Sequence, residues 1–218
     1  MPQSHALAPT RDRILDEVER LIAVKGVYGF KLKDVAEPLN VRVPAIYKHY
    51  KSRDDVLIEV SRRFIGHLGE QFRFEAGADP IAALRSALDD FVAFKLFHPS
   101  YVRLALTDFA TPGGGMEYIK IAAEGSFEDN FSTGPLAAMH KRLGQMLRAA
   151  ERANQARRID PSDFYRLIKS ALLLRLVFPD DALLLRKPTR RELEHAQRWL
   201  WDVACRMLAR EYVAPMSG

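Results

Sequence analysis

The sequence predicts an all-α protein on three observations. Apolar residues recur at helical spacing in segment after segment, no stretch alternates as a half-buried strand would, and the segments are punctuated by capping residues, proline and glycine. In the first segment Ile14, Leu15, Val18, Leu21 and Ile22 repeat behind Thr10, a candidate N-cap, and Gly26 closes it. Leu32, Val35, Ala36 and Leu39 predict a second, shorter helix, followed by Asn40, a residue that tolerates the left-handed conformation that ends helices. Pro38 removes an N–H near that end, so the helix stops early or kinks. A third helix of about two turns runs from Val43 to about His49, with Pro44 tolerated in its first turn. Ser52 and Asp55 have capping-box spacing and open a fourth, whose apolar face is Val56, Leu57, Val60, Phe64 and Leu68.

Further along, Asp79 as N-cap and Pro80 at the first position predict a helix that closes at His98-Pro99, and another runs from about Ser100 to Phe109. The TPGGG of 111–115 reads as a turn, because no Lys-Ser/Thr follows to make a phosphate loop, and 124–135 reads as a loop. Pro135 opens the next helix, to about Asn154. Asp160, Pro161 and Asp163 start one that ends near Phe178, and Thr189 with Glu192 caps the last, to about Arg210. The expected organisation is a disordered tail at 1–9, a small helical unit at 10–52 and a larger helical bundle at 53–218.

The totals narrow the function classes. With 218 residues and 48% hydrophobic composition the chain can bury a real core. A net charge of +5 permits nucleic acid, anionic membrane or anionic ligands and selects none of them. The single cysteine, Cys205, excludes an intrachain disulfide framework and a multi-cysteine metal site, and beside Ala204 on an apolar face it reads as core. Residues 1–9 lack the basic start and apolar run of a signal peptide. The greasiest stretch, ALLLRLVF at 171–178, is too short for a bilayer and is interrupted by Arg175. A cytoplasmic protein with no membrane partner is expected.

The chemistry concentrates in NVRVPAIYKHYKSRDDVL, residues 40–57. Three short helices with a tight turn between the second and third outline a helix-turn-helix, whose third helix carries recognition. From Gly26 to Arg53 lysine and arginine outnumber aspartate and glutamate six to two. Phosphate contacts come from such cations, from tyrosine hydroxyls and from helix N-termini, and the start of the fourth helix offers free N–H groups.

Here the chain resembles the TetR family of bacterial transcriptional repressors. The resemblance is carried by RDRILDEVERLIAVKG, by Asp34-Val35-Ala36 and by the 40–57 stretch, where Val41, Tyr47 and His49 match the family pattern and Ile46, Tyr50 and Arg53 are close replacements. It implies that Tyr47, His49 and Arg53 contact phosphates, that Arg42, Val43 and Ala45 lie nearest base edges, and that Lys48 serves either role. Lys31, Asn40 and Arg42 are departures, standing where many members have threonine, glycine and serine. Lys31 is kept among the DNA-binding candidates. The resemblance also implies a larger ligand-binding and dimerisation domain, with dimers made by the last two long helices.

The residues alone leave alternatives open. Tyr47 by itself reads as core, and only its company with His49 and Arg53 favours the phosphate role. The aromatic and methionine residues of the middle, among them Phe91, Phe94, Phe109, Tyr118, Phe131 and Met139, either pack a core or line a small-molecule cavity, and the resemblance favours the cavity. Arg103 or Arg175 is a candidate partner for an acidic group on such a ligand. Apolar residues on nearly all sides of 164–178, including Phe164, Ile168, Leu172 and Leu174, imply a second partner for that helix. With Leu193, Leu200 and Val203 of the final helix they form the expected homodimer interface.

No Gly-x-Ser-x-Gly, His-Glu-x-x-His or paired-cysteine motif occurs, the histidines lack metal-site spacing, and nothing calls for a cofactor, a metal or a catalytic residue. The expectation is a non-enzymatic, ligand-responsive repressor that binds double-stranded operator DNA as a dimer and is nucleoid-associated when bound. An all-helical enzyme or small-molecule-binding protein with an incidental basic N-terminus, and a protein-interaction adaptor, are the rival readings.

Overall fold

In this computed structural model several helices start where a side chain replaces a missing backbone partner. The structure describes residues 10–73, 75, 77–110, 121–122, 134, 136–177 and 186–209, so the expected tail at 1–9 and the loops at 111–115 and 124–133 lie outside the described residues. Among the described residues there are helices and no strand: α1 (Thr10–Lys25), α2 (Leu32–Ala36), α3 (Val43–Tyr47), α4 (Arg53–Gly69), α5 (Pro80–Phe97), α6 (Pro99–Ala110), α7 (Ala137–Arg152), α8 (Pro161–Val177) and α9 (Arg190–Leu208). The Ser52 Oγ accepts from the Asp55 N–H at 3.0 Å while the Asp55 carboxylate accepts from the Ser52 N–H at 3.1 Å, a reciprocal capping box at the start of α4. The Asp79 carboxylate accepts from the Ile81 N–H at α5, and Thr189 and Glu192 cap α9 reciprocally.

The described residues of Met1–Ile65 and His98–Glu124 form one compact unit, and those of Gly66–Phe97 and Gly125–Gly218 form another. In the first unit α1 packs on α2 and α6, and α2 on α3. Ile14, Val18, Ile22, Val35, Ile46, Val56, Leu57 and Val60 are buried there, the apolar stripes that the helical spacing predicts. A polar network ties α4 to α1: Arg63 donates to Asp16 at 2.7 Å, to Asp12 at 3.0 Å and to Glu19 at 3.3 Å, and the Tyr101 hydroxyl donates to the same Glu19 carboxylate at 3.1 Å. Burial pushes Glu19 above the usual carboxylate range against the pull of those bonds. The Arg63 guanidinium, despite its own burial, is held above its ordinary value by its three carboxylates.

In the second unit α5 packs on α7 and α9, and α8 on α7 and α9. Phe91, Phe72 and Tyr165 form an aromatic cluster with ring centroids 6.0 to 6.2 Å apart.

Two expectations change. α2 ends at Ala36 rather than Leu39, with Glu37 as C-cap, because Pro38 has no N–H to continue the ladder. Cys205 is exposed rather than core, since Ala196, Leu200, Ala204 and Leu208 hold the inward stripe of α9 and position 205 falls beside it.

Candidate nucleic-acid interface

The turn from α2 into α3 is made by Asn40 at φ +52°, as asparagine permits, and the Val41 N–H reaches back to the Ala36 carbonyl at 3.1 Å. Lys31 stands at the head of α2, where its backbone N–H donates to the Asp34 carboxylate at 2.8 Å. That bond, with Lys25 alongside at 3.6 Å, keeps Asp34 below its usual value and leaves the exposed Lys31 side chain for other work. Arg42 is exposed at the head of α3 and makes no side-chain cap, as expected of an arginine in a serine's place.

On α3 one buried residue fixes the orientation of the rest. Ile46 is fully buried, and Tyr50 just beyond is 3% exposed. With those two turned inward, Tyr47, Lys48 and His49 turn outward, and Tyr47 keeps 53% of its surface in solvent. An aromatic ring left that exposed on a short helix is not serving the core. Val43 and Ala45 are half-buried, on the same short helix as the outward Arg42 and Tyr47.

Arg53, the first residue of α4, is placed differently from the exposed cations. Its guanidinium lies over Phe30 at 4.7 Å and near Tyr28 at 5.8 Å, and its Nε and Nη2 are buried without a hydrogen-bond partner. The guanidinium is held in place by ring stacking, with part of its hydrogen-bonding capacity unmet.

Three contributors escaped the local reading. Arg11 pairs with Glu59 at 2.8 Å and covers the Tyr50 ring at 5.3 Å, so it braces the base of the recognition helix from 39 residues upstream. Tyr28 and Phe30 hold Arg53, and the only hint of that in the sequence is two aromatics in a glycine-flanked turn. A Cβ on Gly29 of that turn would meet the Lys25 carbonyl oxygen at 1.9 Å, so glycine is required there.

Residues 14–60 match the family model described as bacterial regulatory proteins, tetR family. Over that stretch the chain is similar to the TetR family. The HTH-type transcriptional regulator AcrR of Shigella flexneri is 34% identical over 82 residues, which is 36% of this chain and 38% of that protein, so the match spans well under half the relative's length. Solved structures extend the likeness along the whole chain at the level of fold. The TetR-family regulator PfmR from Thermus thermophilus has a TM-score of 0.60 at 22% identity, over 91% of this chain and 100% of that one. The ketosteroid transcriptional regulator KstR2 of Mycobacterium tuberculosis has 0.65 at 15%, over 94% and 97%. The fatty acid degradation regulator FadR from Bacillus halodurans has 0.65 at 13%, over 90% and 95%.

The second unit places the other candidates. Phe91 and Met139 are fully buried and Phe94 is half-buried against His67, at 5.7 Å between rings. The Phe109 side chain, Tyr118 and Phe131 lie outside the described residues. Arg103 belongs to the first unit and donates to the Ala23 carbonyl at 2.9 Å. Arg175 lies 3.1 Å from the His195 ring and over Trp199. Of the interface candidates, Phe164, Ile168, Leu172 and Leu200 are fully buried within a single chain, Leu193 and Val203 are half-buried, and Leu174 is 57% exposed. Leu167, one helical repeat before Leu174, is 55% exposed and joins it on the outward stripe.

Among the described residues no group of three or more His, Cys, Asp or Glu is placed to hold a metal ion, and no helix is long and apolar enough to cross a membrane.

Proposed function

We propose that this chain is a cytoplasmic, ligand-responsive transcriptional repressor, not an enzyme, that binds a near-palindromic operator as a homodimer and is released by a small effector with an apolar or aromatic body. The observation that carries the reading is the outward set on α3, Arg42, Tyr47, Lys48 and His49, seated on a buried Ile46 and Tyr50, with the stacked Arg53 at the head of the next helix. Tyr47, His49 and Arg53 hold phosphates and set the register of the helix in the groove. Arg42, Val43 and Ala45 meet base edges, and Lys31 and Lys48 add electrostatic attraction. Two such helices in a dimer enter successive major grooves about 34 Å apart.

The outward stripe of Leu167 and Leu174 on α8, with Leu193 and Val203 on α9, is the surface that a second copy would cover. Leu174→Glu therefore places a charge in the interface without disturbing the fold of one chain, whereas Leu200→Glu would strike the chain's own core. The effector acts only through its different affinity for operator-competent and operator-incompetent conformations. Phe91, Phe94 and Met139, all in the second unit, are the proposed apolar lining.

The test is operator selection from random duplexes, followed by affinity measurements over a salt series on wild type and on Leu174→Glu. Salt-sensitive binding to a symmetric site by a dimer is the expected result. Absence of duplex binding, or a wild-type monomer by sedimentation at micromolar concentration, overturns the reading.

A further inference from the structure

The face of α3 turned away from the core carries an uneven chemistry. Ile46 is fully buried, so Pro44 and Lys48, two residues to either side of it, fall on the opposite side of the helix, and both are exposed. Arg42 stands just before α3 with an extended backbone, φ −88° and ψ +149°, and its exposed side chain makes no cap. Val43 and Ala45, both half-buried, bring only methyl groups to the same helix.

Arg42 and Lys48 donate hydrogen bonds and accept none, and the Pro44 ring does neither. No aspartate, glutamate, asparagine, glutamine, serine or threonine occurs between Val41 and Lys51. The two side chains of that stretch that can accept, Tyr47 and His49, lie to either side of the face that carries Pro44 and Lys48. In a major groove adenine and cytosine present amino donors, which a face without acceptors does not reward. Guanine presents two acceptors, O6 and N7, spaced for a forked guanidinium, and thymine presents a methyl group against which an apolar side chain packs.

We propose that α3 reads its half-site by donation and apolar contact alone. Arg42 donates to O6 and N7 of one guanine, and Pro44 packs on the 5-methyl group of a thymine in the same half-site. The inference rests on the reading of α3 as the recognition helix. It adds Pro44 to the specificity-determining residues and names the bases that the operator must carry. Lys48, one turn beyond Pro44, adds positive charge to the same face without the fork that fixes a guanidinium on two atoms.

The experiment selects duplexes from a random pool with the full chain, then measures anisotropy on the selected site and on modified copies of it. Each half-site is expected to carry an invariant guanine and a thymine. Exchanging that G·C pair for A·T should weaken binding about tenfold, as loss of a bidentate contact requires. 7-Deazaguanine, which lacks only the N7 acceptor, should weaken it about fivefold. Deoxyuridine in place of the thymine, which removes one methyl group, should weaken it about threefold. In Arg42→Ala the guanine, adenine and 7-deazaguanine sites should bind alike, and in Pro44→Ser the thymine and deoxyuridine sites should bind alike. The modified duplexes probe the wild-type protein, so the test stands even if a variant misfolds. Half-sites without a common guanine, a wild type indifferent to 7-deazaguanine, or a guanine preference that survives Arg42→Ala overturns the assignment of Arg42. Indifference of the wild type to the methyl group, or a thymine preference that survives Pro44→Ser, overturns that of Pro44. Selective, salt-sensitive duplex binding alongside any of these results leaves the DNA-binding reading in place. Absence of duplex binding sinks that reading and this proposal with it.

Discussion

In the first unit Arg63 spreads its charge over Asp12, Asp16 and Glu19, Arg11 pairs with Glu59, and Lys31, Arg42 and Lys48 stand in solvent. In the second unit Lys95 and Lys169 lie close to the rings of Phe91, Phe94 and Tyr165. Both units bury a continuous apolar core, so the contrast lies in what surrounds the cations. A cation in solvent or beside a carboxylate costs the fold little and meets a polyanion at a surface. A cation buried among aromatic rings gives up much of its hydration, which the protein's own neighbours must offset.

Four experiments test that contrast. The largest effect tests the half of it that says the cores are alike. Leu57→Ala in α4 and Leu172→Ala in α8, both fully buried, are each expected to cost about 2–5 kcal/mol in urea denaturation. A loss under about 1 kcal/mol for either would mean that its unit is the more loosely packed one.

The second bears on the buried lysines. A base whose folded pKa is depressed binds fewer protons folded than unfolded across the interval between the two values, so stability rises with pH there. For Lys169 the interval runs from about 8 to 10.5, and Lys95, lowered by burial and then by Lys169, acts in the same sense below its ordinary value. Urea midpoints should climb through that range in wild type, and the climb should shrink in Lys95→Met, which should also be the more stable protein at pH 7. A flat wild-type profile would place these amines in an environment no different from the surface.

The third concerns the outward cations and their tyrosine. Because Tyr47 is 53% exposed, Tyr47→Ala should leave stability within about 0.5 kcal/mol. It should also weaken binding to every duplex by about 1 kcal/mol, near fivefold, while Arg42→Ala changes the ranking of sequences. Anisotropy with selected and random duplexes reads both, and a Tyr47→Ala protein that binds as tightly as wild type would remove the phosphate assignment.

The smallest effect is at the α9 cap. Thr189→Ala should cost about 1 kcal/mol. Arg186, with the Thr189 N–H and hydroxyl, holds Glu192 down to about 2. A depressed carboxylate stabilises above its unfolded value and loses that contribution as pH falls through the folded one, so the contribution of Glu192 should fade between about pH 4.5 and 2 and be missing from Glu192→Gln. Circular dichroism during acid titration would register it, and identical curves for the two proteins would remove the cap from the account.

Legibility followed range. The caps at Ser52, Asp79 and Thr189 were readable because donor and acceptor lie within three residues, and the outward face of α3 was readable because Tyr47, Lys48 and His49 follow the buried Ile46 directly. Arg11 over Tyr50 and Arg53 over Phe30 span 39 and 23 positions and leave no periodic trace. Cys205 shows the same limit at one residue. Apolar neighbours suggested core, but with Ala204 and Leu208 facing inward the rotation of α9 sends position 205 outward.

By itself the sequence determined that the chain is helical, where most helices begin, and that a basic helix-turn-helix lies near its start, because helical period, caps and the order of side chains on one short helix are local quantities. Tertiary structure alone decided which faces of α8 are core and which, through Leu167 and Leu174, remain outside. It also decided that a lysine at 95, ordinary in the sequence, stands inside an aromatic cluster with one from 169. Burial and charge–charge distance are properties of packed helices, and they acquire values only when residues far apart along the chain share the same space.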